Sequence, residues 1–151
     1  MNGSLGDVLG LLGRLAVGSA LVAAGAMKAA APYQEFAFVI DAYQILPPAA
    51  SLAIAAVLPW AELLAGFCLI LGDFTKASAA AAGGMIASFL AALVSVKLRH
   101  IALPNCGCFG GLFHPSLGRA LALDVALFPL AYAAFARGDR LCSWDKWARR
   151  G

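Results

Sequence analysis

Residues 49–71 read AASLAIAAVLPWAELLAGFCLIL, with Glu62 the only charged side chain among them. A helix rises about 1.5 Å per residue, so a run of this length crosses the roughly 30 Å hydrocarbon core of a bilayer. Working outward, three more apolar blocks of similar length stand at about Val8 to Ala30, Ala77 to Val96 and Leu117 to Ala136. The whole chain has 151 residues, 62% of them hydrophobic and 13% charged, with a mean hydropathy of +0.84. A water-soluble globule has nowhere to hide that much apolar surface. The expected fold is an all-α membrane protein, a four-transmembrane-helix bundle with spans near 8–30, 49–71, 77–96 and 117–136. Residues 1–151 form one integral-membrane domain, with no extramembrane domain left over.

Within lipid, small residues let helices approach closely. Ala80, Gly84, Ser88 and Ala92 recur every four residues in the third block, which predicts a flat stripe for a neighbouring helix. The first block is read as a retained helix rather than a cleaved signal peptide. Residues 1–7 carry no Lys or Arg, the apolar stretch is too long for a signal core, and Arg14 interrupts it. Arg137, Arg140, Lys146, Arg149 and Arg150 make the densest basic cluster, which places the C-terminal tail, and with four spans the N-terminus, in the cytoplasm. Lys97, Arg99 and Arg119 on the outward side weigh against that orientation. The tail is read as a topology signal, not a nucleic-acid site.

The segment joining the third and fourth blocks holds the densest chemistry: Asn105-Cys106-Gly107-Cys108-Phe109-Gly110-Gly111, flanked by His100 and His114. Two cysteines one residue apart close a disulfide only if the backbone bends sharply, and Gly107 makes that bend accessible. The ring is tight, and strain makes such a bond exchange readily with thiols. Lys97 and Arg99, with His100 or His114 when protonated, favour the attacking thiolate. Cys106 and Cys108 are therefore the candidate catalytic pair of a thiol-disulfide oxidoreductase.

Two alternatives use the same residues. They are two buried thiols of no special reactivity, or they join His100 and His114 as zinc or copper ligands, although one intervening residue is tighter than the usual zinc knuckle. Cys68 reads as a packing residue, and Cys142 lies just beyond the fourth block on the side opposite the cysteine pair.

Charges inside spans are costly and therefore informative. Counting from the block ends pairs Arg14 with Glu62 and lets Lys28 reach Asp124. Fixing helix register is the plainer role for these pairs; handling protons coupled to cysteine oxidation, or lining a cavity for a quinone, is the sharper one. Pro59 and Trp60 are expected to kink the second helix and set an aromatic face beside Glu62. Phe36, Ile40, Tyr43 and Leu46 recur at helical spacing before Pro47 and Pro48, which predicts a short interfacial helix between the first two spans.

Gly25-Ala26-Met27-Lys28, Ala42-Tyr43-Gln44-Ile45-Leu46-Pro47, Leu58-Pro59-Trp60-Ala61-Glu62 and Asn105-Cys106-Gly107-Cys108-Phe109-Gly110 together resemble the MauE family within the wider DoxX-like membrane proteins. The resemblance covers nearly the whole chain, and the cysteine motif is its most specific part. Asn105 and Leu123-Asp124 depart from it, standing where acidic and Arg-Asp residues are expected. The resemblance implies a bacterial inner-membrane protein whose cysteine segment is periplasmic and works with a thioredoxin-like partner. It also implies a link to methylamine metabolism through maturation of the small subunit of methylamine dehydrogenase. A non-catalytic assembly factor is the remaining alternative.

Overall fold

A computed structural model describes residues 5–101 and 117–138. Cys106, Gly107, Cys108, Phe109, Gly110, His114 and Cys142 lie outside these described residues. The elements are α1 (Leu5–Ala29), α2 (Tyr33–Ala42), α3 (Pro48–Leu71), α4 (Thr75–Leu98) and α5 (Leu117–Arg137). All but α2 are long and apolar enough to cross a membrane. The four long blocks and the short helix between the first two are thus where the hydropathy pattern puts them, with ends shifted by a few residues.

Local chemistry sets those ends. Pro47 and Pro48 open α3, the position at which a missing N–H costs nothing. Gly72 closes it in the left-handed region at φ 74°, its N–H donating to the Cys68 carbonyl at 2.9 Å. Only Asp73 and Phe74 then separate Gly72 from α4, so α3 and α4 are neighbours in sequence with a minimal turn.

α1 is the central helix, packing along α3 on one side and α5 on the other; α4 lies on α5, and α2 crosses the start of α3. Val17, Leu21, Ala65, Leu69, Ala82, Ile86 and Ala131 from these four long helices form the main core. A second cluster of Tyr43, Leu93, Val96 and Ala120, with Ile101 against it, ties α2, α4 and α5 together at the opposite end of the bundle from Arg14. Large apolar side chains such as Leu64, Phe67, Phe38 and Tyr132 point outward. That arrangement suits a hydrocarbon solvent, in which packing fit rather than burial of apolar area holds helices together.

The closest approaches are made by glycines of α1 and α3. A Cβ at Gly66 would lie 2.8 Å from the Gly18 carbonyl oxygen, and one at Gly13 would lie 2.5 Å from that of Leu130. By contrast, among the described residues the α4 stripe expected to receive a neighbour does not do so. Ala80, Gly84 and Ser88 are exposed, and a Cβ at Gly84 would meet nothing within 4 Å. α4 instead buries Ser78, Ala79, Ala82, Ile86, Leu93 and Val96. Small residues occur on several faces of so alanine-rich a helix, and the larger Ile86, Leu93 and Val96 select the face that packs.

Candidate functional site

Each of the five helices supplies one side chain to a buried charged site: Lys28 from α1, Phe36 from α2, Glu62 from α3, Phe89 from α4 and Asp124 from α5. The Lys28 ammonium donates to both oxygens of the Glu62 carboxylate, at 2.6 and 2.8 Å. The residues are 2% and 1% exposed. Two phenyl rings complete the shell, with the ammonium 5.2 Å from the Phe36 centroid and 4.9 Å from that of Phe89.

This pairing corrects the expected partner of Glu62, which was Arg14. α1 and α3 run antiparallel, with Gly18 facing Gly66 and Gly25 facing Pro59 and Glu62. On that register Lys28 stands about five positions from the level of Glu62, roughly 7 Å along the axis, whereas Arg14 stands about nine positions away, roughly 13 Å. Helical side chains also lean toward the N-terminus of their own helix. Lys28 and Glu62 therefore lean toward each other, and Arg14 and Glu62 lean apart. Arg14 is buried too, and its Nη1 donates to the carbonyl of Gly138 at 3.1 Å, just past α5. A cation suits that helix end, where carbonyls lack intrahelical donors and the dipole is negative.

Lys28, the expected partner of Asp124, is thus engaged by Glu62, and Asp124 enters the site only as part of a cavity lining. Lys28, Glu62 and Asp124 line one cavity of about 40 Å³, together with Leu21, Ile86, Phe89 and neighbouring apolar residues. The rest of its lining is apolar, so the three charged groups are the polar part of a largely apolar space. Two carboxylates and one ammonium thus share a small space within the spans. An ion pair so deep survives only if both members are satisfied, because removing one leaves an uncompensated charge in a low-dielectric setting.

Trp60 does not supply the aromatic face expected of it. It is 66% exposed on the outside of α3, because two residues along a helix is about 200° of rotation and turns it away from Glu62. Pro59 is buried inside an α3 that continues to Leu71. The aromatic partner that sequence reasoning missed is Phe89. Its signal is composition, since it is the only aromatic residue of α4.

The segment carrying Cys106 and Cys108 leaves the described bundle at Ile101, which packs against the cluster containing Tyr43, and re-enters at Leu117. Lys97, Arg99 and His100 are exposed there. Arg99, counted among the cations that favour a thiolate, donates from Nη1 to the carbonyls of Tyr43 and Gln44, each at 3.2 Å, and so holds the end of α2 to the end of α4. Gln44 and His100 both take the left-handed conformation, with φ 53°. Among the described residues no three His, Cys, Asp or Glu side chains are grouped to hold a metal ion. Of the proposed ligand set only His100 is described. Cys68 is a free, half-buried thiol of α3.

A family model described as methylamine utilisation protein MauE matches residues 6–137. The methylamine utilization protein MauE of Paracoccus denitrificans is 32% identical over 114 residues, 75% of this chain and 61% of that protein. The chain thus spans about three-fifths of the length of that relative. No solved structure matches.

Proposed function

Since the chain belongs to the methylamine utilisation protein MauE family, we propose that it is a membrane thiol-disulfide redox protein in which Cys106 and Cys108 cycle between dithiol and disulfide. The observation that carries this reading is the Cys106-Gly107-Cys108 motif, which joins two membrane-spanning helices in a glycine-rich segment. Gly107 between the two cysteines and the short Phe109-Gly110-Gly111 run after them leave the sulfurs sterically open to a partner's thiol, and the short ring stores strain that favours exchange.

The exchange partner is a thioredoxin-like protein in the periplasm, and the pathway is methylamine utilisation, in which disulfides of the methylamine dehydrogenase small subunit are the end point. Each exchange passes through a mixed disulfide: a thiolate of one protein attacks the disulfide of the other, and the released thiolate takes up a proton.

Trapping tests it. A thioredoxin-like partner lacking its resolving cysteine is co-expressed with the protein, and a covalent complex is expected that forms through Cys106 or Cys108 and disappears on reduction. Wild-type protein that forms no complex during redox cycling, or a Cys106→Ser/Cys108→Ser variant that sustains methylamine growth, overturns the proposal.

A further inference from the structure

A second and larger cavity lies between α2, α3 and α4, where α3 and α4 pack less closely than the other neighbouring long helices. It holds about 440 Å³, within the range of roughly 300–1,000 Å³ usual for small-molecule sites. Its walls are apolar except for the hydroxyl-bearing residues Tyr43, Ser88 and Ser95. Phe36 and Phe89 close its inner end, and they are the same two rings that flank the Lys28 ammonium. Exposed Ile54 and Ala91 on its rim give it a side opening among the lipid-facing residues.

We propose that this groove binds the ring of an isoprenoid quinone. A flat ring packs favourably against aromatic side chains, face or edge, and Phe36, Tyr43 and Phe89 line the groove. The Ser88 hydroxyl already donates to the Met85 carbonyl at 2.8 Å, so the Ser95 hydroxyl on the groove wall is the donor for a ring carbonyl, and the open side lets an isoprenoid tail remain in lipid. The groove also stands at the correct end of the bundle. Ser95 lies one turn before the end of α4, and the segment with Cys106 and Cys108 begins beyond Ile101 at that same end.

The choice of a quinone over another lipid rests on the thiol-disulfide reading above. Closing a disulfide from two thiols releases two electrons and two protons, and one quinone accepts both pairs to become a quinol. Among lipid-soluble molecules that stoichiometry is the distinctive property of quinones.

The probe is decylubiquinone, added to the full chain purified in detergent, with binding read by equilibrium dialysis and native mass spectrometry. Saturable one-to-one binding is expected. Ala92→Phe, which fills the groove, lowers affinity at least tenfold, and Ala80→Phe, on the exposed face of α4 outside the groove, leaves it unchanged. If Ala92→Phe fails to fold, Ser95→Leu removes a hydroxyl and adds bulk at a half-buried position, with the same loss expected. The Cys106→Ser/Cys108→Ser variant binds as the wild type does, because the groove includes neither residue. Absence of a trapped mixed disulfide therefore overturns the thiol reading alone. Equal binding by wild type and groove-filled variants overturns the quinone site, as does a co-purifying phospholipid that the probe does not displace.

Discussion

The Lys28 ammonium grips both carboxylate oxygens of Glu62, at 2.6 and 2.8 Å, from a helix running in the opposite direction. The contact joins the last turn of α1 to the middle of α3 and sits between two phenyl rings. Its first consequence is thermodynamic. Lys28→Met or Glu62→Leu alone strands a buried partner and should cost about 3–5 kcal/mol. Lys28→Met with Glu62→Leu removes both charges and should recover most of that loss. Thermal unfolding in detergent checks it, and a double variant as unstable as the two single variants combined contradicts the pairing.

Phe89 separates the charged cavity from the apolar groove. Phe89→Leu removes a cation–π contact worth up to about 2 kcal/mol when desolvated and should lower Tm measurably. Phe38→Leu, on the exposed face of α2, should leave Tm unchanged. Equal effects of the two would mean that the ring over Lys28 contributes no more to stability than an exposed one.

The glycines divide into two classes with opposite predicted responses. Gly66→Ala places a methyl group 2.8 Å from the Gly18 carbonyl oxygen, so α1 and α3 must separate and stability falls. Gly84→Ala meets open space and gains helix propensity of up to about 1 kcal/mol. Parallel unfolding curves test the contrast, which fails if Gly84→Ala is the more harmful of the two.

Arg99 fastens the end of α2 through two carbonyls. Arg99→Gln should raise hydrogen-exchange rates in residues 40–44 while leaving α1 and α3 protected. Unchanged exchange there would show that Tyr43, packed against Leu93 and Val96, holds α2 without it.

Much of the architecture was legible because hydropathy acts locally. Apolar runs long enough to span a bilayer mark α1, α3, α4 and α5, and the period of Phe36, Ile40, Tyr43 and Leu46 marks α2, which ends at Ala42 before the last two of them. The family was legible as well, from the cysteine motif and the segments around Lys28 and Glu62. The packing faces were not. Ala80, Gly84 and Ser88 form a regular stripe in α4, yet the glycines of α1 take the close contacts. A small residue permits approach without specifying which helix approaches.

The charges draw the same line. The sequence alone determined that Arg14, Glu62 and Asp124 lie within spans with Lys28 at the end of the first, that such charges call for partners, and that two cysteines one residue apart stand where two spans are joined. Only the tertiary structure decided the partners. Counting depth from the block ends favours Arg14 for Glu62, but antiparallel packing turns the lean of each side chain into an opposing or a converging one. That geometry brings Lys28 and Glu62 together from about 7 Å of axial offset, sets Asp124 beside them, and leaves Arg14 to the carbonyl of Gly138. Which residues must be paired follows from the dielectric of the membrane; which ones meet follows from the register of helices that local sequence does not encode.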